Sequence, residues 1–381
     1  MLNWLNQIYL LQIFFLPDAT YPIKPWSYIQ TILKYMKRNL LVLFIACQSF
    51  VTLAQDWNKT PYQTKSLAND GIKGVFVQTS GGSITVSGAS GEQPRVEVYV
   101  RGNNNIELSK EDIQKRLEND YILEVNVNGH EVHALAKRKH EGGFNWDWRK
   151  QLSISFKIYV PKQVDTHLST SGGSIHLDNL SGQENFSTSG GSLHVDYLTG
   201  VIKGETSGGS ISISNSGDNI NMETSGGSIH ANNCQGKIRL ETSGGSLDLG
   251  DLKGNIEANT SGGSIHANHI EGEFKTGTSG GSVSLSQLAC SLDASTSGGS
   301  MHVEMLSVGK YVKLDVSGGH VDLKLPAKTG LNLDLNATRI NSNNVANFSG
   351  SWEKTRVKGS INGGGAPVSV DASGNLNISF N

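Results

Sequence analysis

Between Asn255 and Gly272, small or apolar residues fall on alternate positions, Ile256, Ala258 and Thr260, then resume in the opposite phase at Ile265 and Ala267, beyond the pair Gly262-Gly263. The phase changes again at Ile270. Side chains of an extended strand point to opposite faces in turn, so an inward set keeps one parity until the backbone bends. Two changes of parity therefore predict two short strands and two corners. One corner belongs at Gly262-Gly263, where the missing Cβ atoms let neighbouring backbones approach. The other belongs near Ile270-Glu271-Gly272.

This unit recurs. The phrase Thr-Ser-Gly-Gly-Ser-apolar begins at Thr170, Thr188, Thr206, Thr224, Thr242, Thr260, Thr278 and Thr296, always 18 residues apart. An invariant period of this kind marks a solenoid. Stacked coils bring equivalent residues into register about 4.8 Å apart. Three apolar columns then line the interior: Leu177 to Val303; Leu180, Leu198, Ser216, Cys234, Leu252, Ile270, Leu288 and Leu306; and Ile202, Ile220, Ile238, Ile256, Phe274 and Leu292. The expected fold is all-β, a β-solenoid similar to a parallel β-helix, with irregular β caps at both ends. Thr260 and its equivalents share the inward phase. A coil alone has no core, so stacking must both bury the columns and satisfy the backbone.

The flanks are less regular. Residues 56–165 read as an N-terminal β region that caps the stack, 166–321 as the regular repeats, and 322–381 as degenerate coils and a C-terminal cap. A lone copy of the phrase runs from Thr79 to Ile84. Arg95–Val100 and Tyr121–Val127 alternate like half-buried strands, and Ser109 with Asp112 three residues on starts a short helix. Past Val316-Ser317-Gly318-Gly319, the segments Gly359–Gly365 and Asp371–Ile378 resemble degenerate coils.

Near-neutral composition excludes a polyanion-binding protein: the net charge is -2 over 381 residues, and no basic stripe for nucleic acid occurs. Residues 36–54 carry the basic, apolar and small-residue regions of a signal peptide. Met36 is then the expected initiator, and residues 1–35 an annotation extension. Ala54-Gln55 reads as a signal-peptidase site, while Cys47 after Phe44-Ile45-Ala46 resembles a degenerate lipoprotein box. The expectation is an exported protein, periplasmic, on the outer cell surface or extracellular, held to a membrane only if a lipid is attached at Cys47. Cys234 and Cys290 lie about three coils apart, too far for a disulfide, and read as small buried residues.

Candidate chemistry is sparse. His176, His194, His230, His266 and His302 share one outward column, interrupted by Ser212, Asp248 and Ser284. That pattern fits a solvated polar ladder better than a metal site, for which imidazoles of adjacent coils would have to converge on one ion. No cofactor is expected. The Gly pair lacks the following Gly-x-Asp of calcium-binding rolls. Glu205, Glu223 and Glu241 form a short acidic stripe and no acid/base pair. Trp146 and Trp148, in the aromatic segment 140–150, could contact a sugar or a protein, or plug the end of the solenoid.

The chain resembles the adhesin family of bacterial β-solenoid domains. The resemblance rests on the repeated phrase, on Ile158-Tyr159-Val160-Pro161 before the array, on Leu323-Lys324-Leu325-Pro326 after it, and on the Gly-rich turn before Val368–Gly374. It spans roughly residues 70–380 and implies a β-solenoid at the cell envelope; it brings no catalytic or binding residues. The expected role is a non-enzymatic scaffold or binding module contacting glycans or envelope proteins. A carbohydrate-active enzyme and a partner domain of an envelope signalling complex are the alternatives.

Overall fold

Each Thr-Ser-Gly-Gly-Ser phrase ends one strand and turns into the next. In the computed structural model, which describes residues 60–88, 91–103, 108–139, 151–343 and 345–381, the result is a β-solenoid. Residues 1–35, the signal segment 36–54, Cys47, Trp146 and Trp148 lie outside the described residues.

The N-terminal strands are β1 (Gln63–Ser66), β2 (Gly74–Thr79), β3 (Ile84–Gly88), β4 (Arg95–Gly102), β5 (Tyr121–Asn128), β6 (Glu131–Arg138) and β7 (Leu152–Val160). Helix α1 (Lys110–Asp120) precedes β5, and its N-cap Ser109 accepts a hydrogen bond from the Asp112 amide, as the Ser-x-x-Asp spacing predicts. The array follows as β8 (Asp165–Thr170), β9 (Ile175–Asp178), β10 (Ser181–Thr188), β11 (Leu193–Asp196), β12 (Thr199–Thr206), β13 (Ile211–Ser214), β14 (Gly217–Thr224), β15 (Ile229–Asn232) and β16 (Gln235–Thr242). From there a single strand bends through the second corner in each coil: β17 (Leu247–Thr260), β18 (Ile265–Thr278), β19 (Val283–Thr296) and β20 (Met301–Val316), before β21 (Val321–Leu325). The chain closes with β22 (Leu331–Ser342), β23 (Phe348–Trp352), β24 (Arg356–Ile361) and β25 (Ala366–Phe380).

Pairing within the array is parallel and in register at the 18-residue offset, as in Leu193 with Ile211 and Ile202 with Ile220. Each coil has a four-residue wall and an eight-residue wall. The corner between them, expected near Ile270-Glu271-Gly272, is made by left-handed residues on both sides of Ile270: His269 at φ 54° and Gly272 at φ 108°. The equivalents of His269, namely Asn179, Tyr197, Asn215, Asn233, Asp251 and Gln287, all lie between φ 51° and 54°.

The other corner explains the Gly pair and the Thr. A Cβ on Gly263 would lie 2.0 Å from the carbonyl oxygen of Gly245 one coil away, whereas a Cβ on Gly262 would meet nothing closer than 3.4 Å. The second glycine is therefore required by backbone packing, and the first is not. Thr260 is buried, as its phase predicts. Its hydroxyl donates to Gly245 O at 2.7 Å and accepts from the Gly263 amide at 3.3 Å. The same pair of bonds recurs at Thr188, Thr206, Thr224, Thr242, Thr278 and Thr296, tying each corner to the preceding coil.

The interior columns are buried along their length, with one correction. The register slips between β19 and β20, so that Met305 faces Leu288 and fills the interior. Leu306, expected inside, is 55% exposed. Cys234 and Cys290 are free and buried, in accord with their reading as small core residues.

The ends depart from sequential stacking. The lone phrase at Thr79–Ile84 is a full member of the stack: β2 pairs in parallel with both β6 and β8, and β3 with both β7 and β9. The chain thus lays down an inner coil first, builds the outer layer over it, and returns to continue the array. At the other end, the last strand, β25, inserts between β20 and β22 and also pairs with β21. Gly359–Gly365 does not form a coil; it spans the end of β24 and the turn into β25, and β24 pairs antiparallel with both β22 and β23. Antiparallel strands, including β4 on β7 and β5 on β6, close both ends. This geometry blocks a further parallel coil and so protects the open edge.

Candidate functional site

The outer surface is built from columns, because every outward residue of one coil stands over its equivalent in the next. The five histidines of the four-residue wall are all exposed, and the structure brings only two of them together. His176 and His194 are direct neighbours across β9 and β11, with ring centroids 4.5 Å apart and planes 9° from parallel. Partial burial, and secondly the His194 charge, hold the His176 imidazole below its ordinary value. His230 lies 3.5 Å from Asp248, and His302 lies 3.9 Å from Asp322, beyond Ser212 and Ser284 in the same column. Among the described residues no cluster of three or more His, Cys, Asp or Glu side chains could hold a metal ion.

The eight-residue wall carries a charge ladder. Lys203 lies 2.9 Å from Glu205, and Arg239 lies 2.6 Å from Glu241 and 3.5 Å from Glu257. The acidic stripe at Glu205, Glu223 and Glu241 is thus partly matched by neighbouring cations. Exposed pairs of this kind add little stability. They do keep the face polar and locally neutral.

Near the N-terminal end the ladder is broken by Phe76, 40% exposed on the outer face of β2. The His133 ring stacks on it at 5.0 Å and 3°, and the His167 ring lies 5.6 Å away on the other side. Phe76 opens onto a cavity of about 570 Å³, whose polar lining includes Asn128, Glu131, Asp165 and Gln183. The sequence pattern held a signal for Phe76, since it stands three residues before Thr79 and so out of the inward phase.

Below this cavity lies a second group that pattern reading missed. Glu184 is 0% exposed and occupies the interior column continued by Ile202 and Ile220. Its Oε2 accepts a hydrogen bond from the Thr166 hydroxyl at 2.6 Å, and its Oε1 has no partner. Burial pushes its carboxyl up to about 7; the Thr166 bond opposes the rise and the Asp165 charge adds to it. Extending the Ile column back by one coil from Ile202 would have exposed this residue.

Among the described residues no helix is long and apolar enough to cross a membrane. No curated protein matches the chain. A candidate adhesin from Bacteroides fragilis NCTC 9343 is similar at 15% identity, covering 68% of this chain and 95% of its own, with a TM-score of 0.34. A candidate cell adhesion protein from Clostridium sporogenes ATCC 15579 is similar at 10% identity, covering 84% of this chain and 98% of its own, with a TM-score of 0.19. At these scores neither carries a functional argument. The Toastrack DUF4097 family model matches residues 72–379, the whole of the stack from the inner N-terminal coil to β25, and the chain belongs to that family.

Proposed function

We propose that the protein is an adhesin-like binding module of the bacterial envelope, secreted or displayed at the cell surface, that acts as a scaffold and not as an enzyme. The observation that carries this reading is the in-register repetition of the outer columns. A rigid stack repeats polar side chains at one strand spacing, which turns weak single contacts into multivalent attachment to glycans or to neighbouring envelope proteins. The signal segment 36–54 supports export. Pairing of the outer carboxylates with Lys203 and Arg239 supports a solvated face over an acid/base pair.

A glycan array probed with the mature protein, followed by chromatography of the bound polysaccharide, tests this. The expected result is retention on a subset of glycans with no shortening of the chains. Release of oligosaccharide products would favour a carbohydrate-active enzyme. Absence of retention on every glycan would remove glycans as the ligand.

A further inference from the structure

The corner built from left-handed residues borders a hollow of about 600 Å³ on the outer surface. It extends along the solenoid axis past Tyr197, Asn215, Asn233, Asp251 and His269. Those residues belong to five successive coils, so four intervals of about 4.8 Å give it a length of roughly 19 Å. We propose that this hollow is a binding groove for a linear, uncharged polysaccharide lying along the axis, with Tyr197 as its aromatic contact. The inference rests on the reading above and names the ligand and the place.

Three observations carry it. Tyr197 sits at φ 54°, a conformation that Asn tolerates and a bulky residue resists. The coils on either side meet the same backbone demand with Asn179 and Asn215. Tyr197 is 55% exposed, so interior packing does not compensate the strain. Strain held without a packing return points to use of the side chain. An exposed tyrosine between two small neighbours offers a flat apolar face with a polar tip, suited to a pyranose ring.

The second observation concerns the floor. Gly217 stands where the next coils carry the exposed side chains of Gln235 and Lys253, so no side chain rises from the floor at this coil. The backbone does not require a glycine there. Gly217 has no positive φ, and a Cβ on it would come no nearer than 3.3 Å to Cγ of the flexible Gln235 side chain.

The rim supplies the third. Asn233 donates to Asn215 at 2.7 Å, Lys253 pairs with Glu271 at 2.9 Å, and His269 lies 3.7 Å from Asp251. Asp218, Asp251 and Glu271 face a single lysine, Lys253, and His269 is a cation only when protonated, so the hollow repels an anionic polymer. Its amides, carboxylates and hydroxyls can exchange hydrogen bonds with sugar hydroxyls. The walls flanking the hollow spend their backbone groups on pairing between coils. An extended peptide would find no free strand edge to join.

The test is calorimetric titration of the mature protein with hexasaccharides of β-1,4-glucose, β-1,4-N-acetylglucosamine, β-1,4-xylose and β-1,3-glucose, and with the matching disaccharides. At least one hexasaccharide should bind, and its disaccharide should bind much more weakly because it spans fewer coils. Tyr197→Asn should weaken binding by about tenfold or more, roughly 1.4 kcal/mol, while the melting temperature holds or rises because the strain is relieved. Gly217→Gln, which installs the side chain found at Gln235, should fill the floor and weaken binding with the fold retained. Undiminished hexasaccharide binding in both variants would overturn the groove and leave a glycan-binding module standing. Failure of the wild-type protein to bind any hexasaccharide would also overturn it, and the array then decides the wider reading separately. Unfolding of Gly217→Gln would refute the argument that the fold does not need this glycine.

Discussion

Replacing Glu184 by Gln should flatten the pH dependence of stability. The wild-type carboxyl lies inside the solenoid with a pKa raised from 4.5 to about 7. In the unfolded chain it ionises near its ordinary value. Below pH 4.5 it is protonated in both states, and its stability contribution is complete. Between pH 4.5 and 7 only the unfolded state releases the proton, so stability falls as pH rises through this window and levels off above it. The interval of about 2.5 pH units, at about 1.4 kcal/mol each, makes the loss roughly 3 kcal/mol.

Glutamine keeps the size of the side chain and still accepts from the Thr166 hydroxyl, but it does not ionise. Its buried amide adds an offset that does not vary with pH. The informative quantity is therefore the difference between wild type and variant, measured by urea unfolding from pH 4 to pH 9. That difference should shift by roughly 3 kcal/mol in favour of Gln between pH 4.5 and 7, then stay constant. Amide exchange at Phe186 and Thr188 should show the loosening in the coils around β10. Parallel curves for the two proteins would refute the reasoning, because they would mean that Glu184 ionises as freely in the fold as in the unfolded chain.

Other outcomes follow from the same geometry. Gly263→Ala should destabilise by about 3 kcal/mol or more, since its Cβ meets unyielding backbone, whereas Gly262→Ala should be neutral or stabilising by about 0.5 kcal/mol; equal melting temperatures would contradict the close approach at Gly263. Thr260→Val should cost about 1–2 kcal/mol by urea unfolding, through loss of the bond to Gly245 and an unmet Gly263 amide; no loss would show that the hydroxyl contributes nothing. By NMR, His176 should titrate below the ordinary imidazole range, and His194→Ala should raise it only partway because burial is the larger cause; full restoration would reverse that ranking. Leu306→Ser should leave stability nearly unchanged while Met305→Ser lowers it by about 2–4 kcal/mol; the reverse order would place Leu306 inside.

The repeat was legible because its causes are local. Alternation along Ile256, Ala258 and Thr260 and its phase change at Gly262-Gly263 reflect side-chain direction within a few residues, and the interval of 18 carries that pattern from coil to coil. The Thr column could be assigned inward from parity alone. The five histidines could be assigned to one outward column for the same reason, and their columnar geometry followed.

Non-local pairing lay beyond such reading. Insertion of β2 and β3 beneath β6 and β7, and of β25 between β20 and β22, depends on which distant strands meet, and alternation is the same for any partner. The slip that exchanges Leu306 for Met305 arises from a bulge against β19. Phe76 becomes an aromatic stack only because β6 and β8 flank β2. The hollow at Gly217 exists only relative to the coils beside it. Periodicity determined a stacked β interior and its columns, since these follow from backbone geometry repeated in place. The 18-residue offset also places Glu184 in the Ile202 column, whereas the tertiary structure decided the ends and the hollow, because each depends on contacts between segments that no local pattern relates.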